Sequence, residues 1–144
     1  MCAEEHFRKL ERMYATAPIN RFYLPVMRVS EGRAEISVTV RPEFFHAAQA
    51  VHGSVYFKLL DDAAFFAVNS LVTDVFVLTA SYHLHFLRPV RAGRLTAVGR
   101  VVHSSNRMFV AEAELQDECA RVLGRGSGSF MRSQIALDPA VGYA

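Results

Sequence analysis

A chain of 144 residues, 51% of them hydrophobic, suffices for one globular domain, 1–144, with a real core, and is too apolar for a disordered chain. The net charge is +2 and the basic residues are nearly all arginine, with Lys9 and Lys58 the only lysines. They are scattered along the chain, which argues against nucleic acid as a partner and suits recognition of a few phosphates. Cys2 and Cys119 form neither a CxxC pair nor a secreted-type framework, so a reduced compartment is expected. The opening "MCAEEHFRKLERMYATA" is charged where a signal peptide needs an apolar core, and no segment is apolar over the ~18 residues of a membrane span. These features together predict a soluble, cytoplasmic protein with no membrane partner.

Phe7, Leu10, Tyr14 and Ala17 recur at helical spacing, which predicts a short amphipathic helix over 1–17, peripheral to the domain and ending near Pro18. In "LPVMRVSEGRAEISVTVRP", Glu31-Gly32 separates two runs, and Ala34, Ile36, Val38 and Val40 alternate with polar residues as in a half-buried hairpin. Ser54 to Leu71 is apolar on nearly all sides, the pattern of a helix enclosed by other structure. Four further strands are predicted: Val75 to Leu87, Leu95 to His103, Met108 to Leu115 and Arg121 to Met131, with short turns between them. This order argues an α+β fold in which an antiparallel sheet covers a single long helix.

The few polar residues of that helix carry information. At about 100° per residue, Lys58, Asp62 and Asn69 fall in one narrow stripe. Asp62 is therefore expected to be solvated or paired with Lys58, four residues earlier. Asp61 falls instead among Phe57, Ala64, Phe65 and Val68, where an ionised carboxylate costs several kcal/mol unless it is paired or hydrogen-bonded. It is either a structural buried acid or a working one.

The helix start, His52-Gly53-Ser54, puts a glycine N–H at the positive end of the helix dipole, where it can stabilise an oxyanion and where no side chain hinders close approach. Gly and Ser are also ordinary residues at such a position. His52 and Asp61 are nine residues apart, about 13.5 Å along a helix and half a turn out of phase, so they cannot meet within one chain. If both serve one site, it is shared between two subunits. A two-fold dimer with antiparallel central helices brings His52 and Gly53 of one chain towards Asp61 of the other.

Other signals are weaker. Thr79, Ser81, His83 and His85 alternate on a predicted strand, so all four are expected on one face, and a His-x-His pair can ligate zinc; no third ligand stands at useful spacing, so no metal is expected. "GRGSG" at Gly124 to Gly128 lacks the lysine and following helix of a phosphate loop and reads as close packing in a strand. No serine sits in a GxSxG elbow and neither cysteine is placed as a nucleophile, which disfavours serine or cysteine acyl transfer.

The arrangement of His52, Gly53, Leu59, Asp61, Ala63 and Ala67, followed by "TASYHLHFLRPVRAG" and "GRGSGSF", resembles the hotdog-fold thioesterases of the phenylacetic-acid-degradation type. The likeness runs from about Ala17 to Met131. It implies a sheet wrapped around the central helix, dimers or dimers of dimers, and hydrolysis of acyl-coenzyme A at the subunit interface with no cofactor, coenzyme A being part of the substrate. It further implies Asp61 as general base or nucleophile, the Gly53 N–H as oxyanion donor, His52 as a residue that orients the thioester, and Thr79 as a helper that holds the attacking water.

Three positions depart from the family pattern: His46 stands for an asparagine, Gln49 for a loop glycine and Ser54 for the second glycine of a pair. His46 can still donate to a carbonyl oxygen, with a charge that depends on pH. These departures favour the alternative of a non-catalytic acyl-coenzyme A binding or sensing module of the same fold. Ser54, at the helix start, and Arg88, Arg107 and Arg125, in or beside predicted strand ends, are candidates for contacts to coenzyme A, the arginines to its phosphates; the plain alternative for each arginine is a solvated surface charge. A hotdog dehydratase is disfavoured, because the loop and glutamate-bearing helix of those enzymes have no match here.

Overall fold

The computed structural model describes residues 1–144. Two helices, α1 (Ala3–Thr16) and α2 (Asn20–Tyr23), precede the hairpin β1 (Val26–Ser30) and β2 (Arg33–Thr39). After a 3-10 turn at Pro42–Phe44 comes the long helix α3 (Gly53–Asn69), then β3 (Val75–Phe86), β4 (Arg94–Ser104), β5 (Phe109–Gln116) and β6 (Val122–Ala136). The six strands form one antiparallel sheet in the order β1-β2-β4-β5-β6-β3, so the chain crosses under the sheet through α3 and resumes at the opposite edge. Sheet and single helix make the predicted α+β hotdog arrangement. The strands lie within a few residues of expectation, except that β6 runs five residues past Met131 to Ala136.

The helix sits close on the sheet because its contact face is small. Ala63, Ala64 and Ala67 are wholly buried, and a Cβ on Gly99 of β4 would come within 2.3 Å of the Ala63 carbonyl. Leu59, Leu60 and Val68 flank these alanines and meet Ile36, Leu95, Leu115, Leu123 and Phe130 in one hydrophobic cluster. Asn69, in the same polar stripe as Lys58 and Asp62, is buried: its Oδ1 accepts from the Val77 N–H and its Nδ2 donates to the carbonyls of Val72 and Val75. The end of α3 is thereby tied to the start of β3.

The expectation of a peripheral first helix also needs correcting. α1 buries His6, Phe7, Leu10, Met13 and Tyr14. His6 lies between the Tyr143 hydroxyl (2.6 Å) and the Asn69 carbonyl (2.9 Å), and the Tyr14 hydroxyl donates to Asp62 Oδ2 at 2.8 Å. Helical periodicity identified the apolar face; it carries no information about which element that face meets, and here the face closes one end of the α3 layer.

Candidate functional site

Two neighbouring carboxylates on α3 meet different surroundings because 100° of helix rotation separates them. Asp62 points towards α1. Its Oδ2 accepts from the Lys58 ammonium at 2.5 Å and from Tyr14, while the ammonium lies over the rings of Tyr14 and Tyr23 at 5.0 and 5.1 Å. The expected Lys58 pair is present, but it is largely enclosed: the two side chains are 10% and 19% exposed.

Asp61 faces a largely apolar, open-mouthed cavity of about 460 Å³ lined by Phe65, Phe66, Phe76, Leu78 and Ile135, with Met13 and Ile19 from the N-terminal segment. Its Oδ1 accepts one hydrogen bond, from Thr79 Oγ1 at 2.9 Å. Loss of solvent pushes its pKa from 3.8 up to about 6; the Thr79 bond opposes the rise, the Asp62 charge adds to it and Lys58 opposes it. A carboxylate of this kind accepts a proton readily near neutral pH.

Thr79 reaches Asp61 through a bulge. Register passes from Thr79 opposite Phe130 to Ser81 opposite Ser129, leaving Ala80 as an extra residue. Strict alternation placed Thr79, Ser81, His83 and His85 on one face. The bulge turns Thr79 to the helix side and leaves the exposed His83 and His85 outside, rings 4.8 Å apart, with no group of three or more metal-binding side chains. The glycines of β6 pack closely, as read: a Cβ on Gly126 or Gly128 would come within 2.4 Å of the Tyr82 ring.

The start of α3 forms a second place of interest. His52 is the N-cap, its Nδ1 accepting from the Ser54 N–H at 3.0 Å and lying 2.8 Å from Ser54 Oγ. Gly53 is the first helical residue, so the helix supplies no acceptor for its N–H. Gly53, His46, Tyr56, Phe86 and Arg88 line a cavity of about 320 Å³. His46 Nδ1 accepts from the Ala48 N–H, and Gln49, in place of the loop glycine, holds the left-handed φ of 64° such a glycine would take.

The structure therefore gathers Asp61 with Thr79 in one cavity and Gly53 with His46 and Arg88 in another, His52 and Ser54 standing at the same helix start. The two groups do not meet within the chain. Arg107 lies exposed in the β4–β5 turn, and Arg125 lies on the outer sheet face, 3.0 Å from Glu114. Sequence reasoning found the Lys58–Asp62 pair but missed the Tyr14 hydroxyl that joins it and the part α1 plays in lining the Asp61 cavity. Tyr14 was visible only as one more residue of an apolar stripe.

The family model described as the thioesterase superfamily matches residues 48–123, more than half of the chain and a span that holds Asp61, Thr79, Gly53 and Arg88 but not His46. The acyl-coenzyme A thioesterase PaaI of Escherichia coli K12 is 29% identical over 110 residues, covering 76% of this chain and 77% of its own. The solved structure of E. coli PaaI, from the phenylacetic acid degradation operon, superposes with a TM-score of 0.85 at 23% identity, covering 94% of this chain and 99% of the other. A mutant of the phenylacetic acid degradation protein PaaI from Thermus thermophilus superposes at 0.74 with 23% identity, covering 81% and 100%. Matched sequence and matched fold agree: the chain belongs to the thioesterase superfamily, as a PaaI-like hotdog thioesterase.

Proposed function

We propose that this protein hydrolyses acyl-coenzyme A to the free acid and coenzyme A at a site shared between two subunits. The observation that carries the proposal is the Asp61 carboxyl, raised to about 6 in an apolar cavity and held by one hydroxyl. Asp61 takes a proton from water as it attacks the thioester carbonyl, the intermediate then breaks its C–S bond, and the leaving coenzyme A thiolate takes the proton up; attack by the carboxylate itself, expelling the thiolate and leaving an anhydride that water hydrolyses, uses the same geometry. Thr79 fixes the carboxylate's orientation.

The oxygen that becomes negative needs a donor, and the Gly53 N–H at the positive end of α3 is suited to it. It lies eight residues from Asp61, about 12 Å along the helix, so the donor comes from the partner subunit. β3 supports such a pairing: it is twelve residues long, bonded to β6 on one side only, and has Leu78, Phe86 and Leu87 exposed along and just beyond it. A free edge of that length is a template for a second strand. His52 and His46 stand beside Gly53 to orient the carbonyl, and Ser54 and Arg88 flank the cavity through which coenzyme A enters. Arg107 and Arg125 reach coenzyme A phosphates only if the partner brings them there. The two free, exposed cysteines suit a reducing, cytoplasmic setting.

Thiol release from a panel of acyl-coenzyme A substrates tests the proposal. Asp61→Asn is expected to lower kcat by ~10²-fold or more, the usual worth of a general base, while Asp62→Asn keeps measurable turnover. Binding of the panel by the wild type without turnover would replace this reading with that of an acyl-coenzyme A binding module.

A further inference from the structure

Beyond Phe86 the regular pairing of β3 with β6 ends, and the chain passes the start of α3 with few attachments. The Leu87 and Arg88 N–H groups both donate to the Leu123 carbonyl, at 2.9 and 3.2 Å, and the next backbone tie is the Val51 N–H donating to the Val90 carbonyl at 3.0 Å. Between these ties stand the exposed Arg88 and Pro89, and the proline has no N–H to give. One side chain reaches this stretch from the core: Tyr56, 3% exposed, donates its hydroxyl to the Arg88 carbonyl at 2.5 Å. Burial raises the pKa of that hydroxyl, so it stays a donor at neutral pH and above. The Tyr56 ring meets that of Phe86 edge-on, centroids 5.5 Å apart, and a Cβ on Gly53 would come within 3.0 Å of the Phe86 ring. Gly53, Tyr56, Phe86 and Arg88 thus line one cavity, with Tyr56 about one helical turn beyond Gly53 on α3.

We infer that Tyr56 is a positioning residue: its hydroxyl pins the Arg88–Pro89 turn to the first turns of α3 and so holds Arg88 at the Gly53 cavity, where the phosphates of coenzyme A arrive. The hydroxyl itself is occupied by the Arg88 carbonyl and acts only through it. The Arg88–Pro89 peptide has no other hydrogen bond, so without Tyr56 the carbonyl turns to water and the side chain on the same residue turns with it. An arginine on a loose turn must be ordered each time a ligand binds, and affinity falls by that cost. The effect falls on capture of the nucleotide, while attack on the thioester belongs to Asp61 and Gly53. The inference rests on the acyl-coenzyme A reading for the identity of the ligand.

The test uses matched ligands with and without the nucleotide: hexanoyl and phenylacetyl thioesters of coenzyme A and of pantetheine, which carries no phosphate, together with the non-hydrolysable thioether analogues of each. kcat, KM and the analogue Kd are measured for wild type, Tyr56→Phe, Arg88→Ala and the double variant. Tyr56→Phe keeps the ring and removes only the hydroxyl. The wild type is expected to bind the coenzyme A analogues at least about tenfold tighter than the pantetheine ones, the worth of a hydrogen bond to a charged donor. Tyr56→Phe should raise KM and Kd in the coenzyme A series about fivefold, leave kcat within about twofold, and leave the pantetheine series unchanged. Arg88→Ala should do at least as much, and adding Tyr56→Phe to it should change nothing further, because the hydroxyl acts through Arg88. KM and Kd do not depend on the fraction of protein that is folded. Equal losses in both series, effects of the two substitutions that multiply, or a Tyr56→Phe variant indistinguishable from wild type would overturn the inference. Because Kd is read without turnover, absence of hydrolysis would count against the thioesterase reading while the analogues still decide the role of Tyr56.

Discussion

Asp61 is expected to cost the fold stability in the pH range where it is useful. Its pKa rises from 3.8 to about 6 on folding, chiefly because burial removes water from the charged form. Between those values the native state binds the proton that the unfolded chain has released, so this carboxyl's contribution falls as pH rises through that window and stays low above it. At ~1.4 kcal/mol per pKa unit the full effect is ~3 kcal/mol, and with some solvent left at the carboxyl ~2 kcal/mol is the working figure. Asp61→Asn removes the charge and keeps an oxygen that can accept from Thr79. The variant should therefore be more stable than wild type by ~2 kcal/mol per protomer at about pH 8, and by much less at about pH 4.5. Urea unfolding at both pH values, at one fixed protomer concentration because assembly adds its own term, measures the difference. A variant less stable than wild type at the higher pH, or a gain that does not change with pH, would refute the account of Asp61 as an acid strained by desolvation.

Further expectations follow from the same geometry. Activity should rise with pH through about 6 as Asp61 ionises, and Leu78→Gln, which adds a polar group to the cavity wall, should move that acid limb to lower pH in a pH–rate profile. Mixing inactive Asp61→Asn with inactive Gly53→Val subunits under exchange should restore thiol release, since a mixed dimer holds one site with both native residues; no recovery in a verified mixed dimer would argue for a site within one chain. Gly99→Ala should destabilise by ~3 kcal/mol or prevent folding, because its Cβ has only 2.3 Å to the Ala63 carbonyl and the whole helix must lift; thermal unfolding checks it. Asp62→Ala should cost ~3 kcal/mol by stranding the enclosed Lys58 ammonium, far above the effect of losing an exposed helical pair.

Some of this was legible in the sequence and some could not have been. The apolar run from Ser54 announced an enclosed helix, since a sequence hydrophobic on all sides needs structure on all sides, and helix phase alone separated Asp61 from Asp62. The glycines of "GRGSG" were readable as close packing, although the ring they admit, that of Tyr82, was not. Thr79 shows the limit from another side. Alternation is reliable only while register is regular, and the extra residue at Ala80 inverted the face for Val77 to Thr79, ahead of which a second irregularity follows Val75. No local preference in "LTASYH" marks that bulge; it follows from how β3 must meet both β6 and α3. The long-range roles of Tyr14 and Lys58 were hidden for a related reason. A residue on an apolar stripe and a lysine in an i, i+4 pair look alike wherever they occur, and only the docking of α1 made them parts of a cavity wall.

The energetic difference between the adjacent aspartates ties fold to function. Asp62 is half-buried beside its partners, so its charge is met by the Lys58 ammonium and the Tyr14 hydroxyl. Asp61 receives one hydroxyl and hydrocarbon, so its charge is expensive and its proton affinity is raised. Had helix phase placed a lysine opposite Asp61 as one stands opposite Asp62, the carboxylate would be stable and a weak base. The tyrosine and lysine that quiet Asp62 also line the cavity around Asp61, so one cluster removes a competing charge while walling the other. A substitution that loosens α1, such as Tyr14→Phe with its lost bond to Asp62, should therefore act twice: it admits water to Asp61, lowering its pKa, and it opens the wall that the acyl group meets. An acid limb moved to lower pH together with a raised KM would show both effects in one pH–rate series, and movement of KM alone would mean that α1 shapes the cavity without drying it.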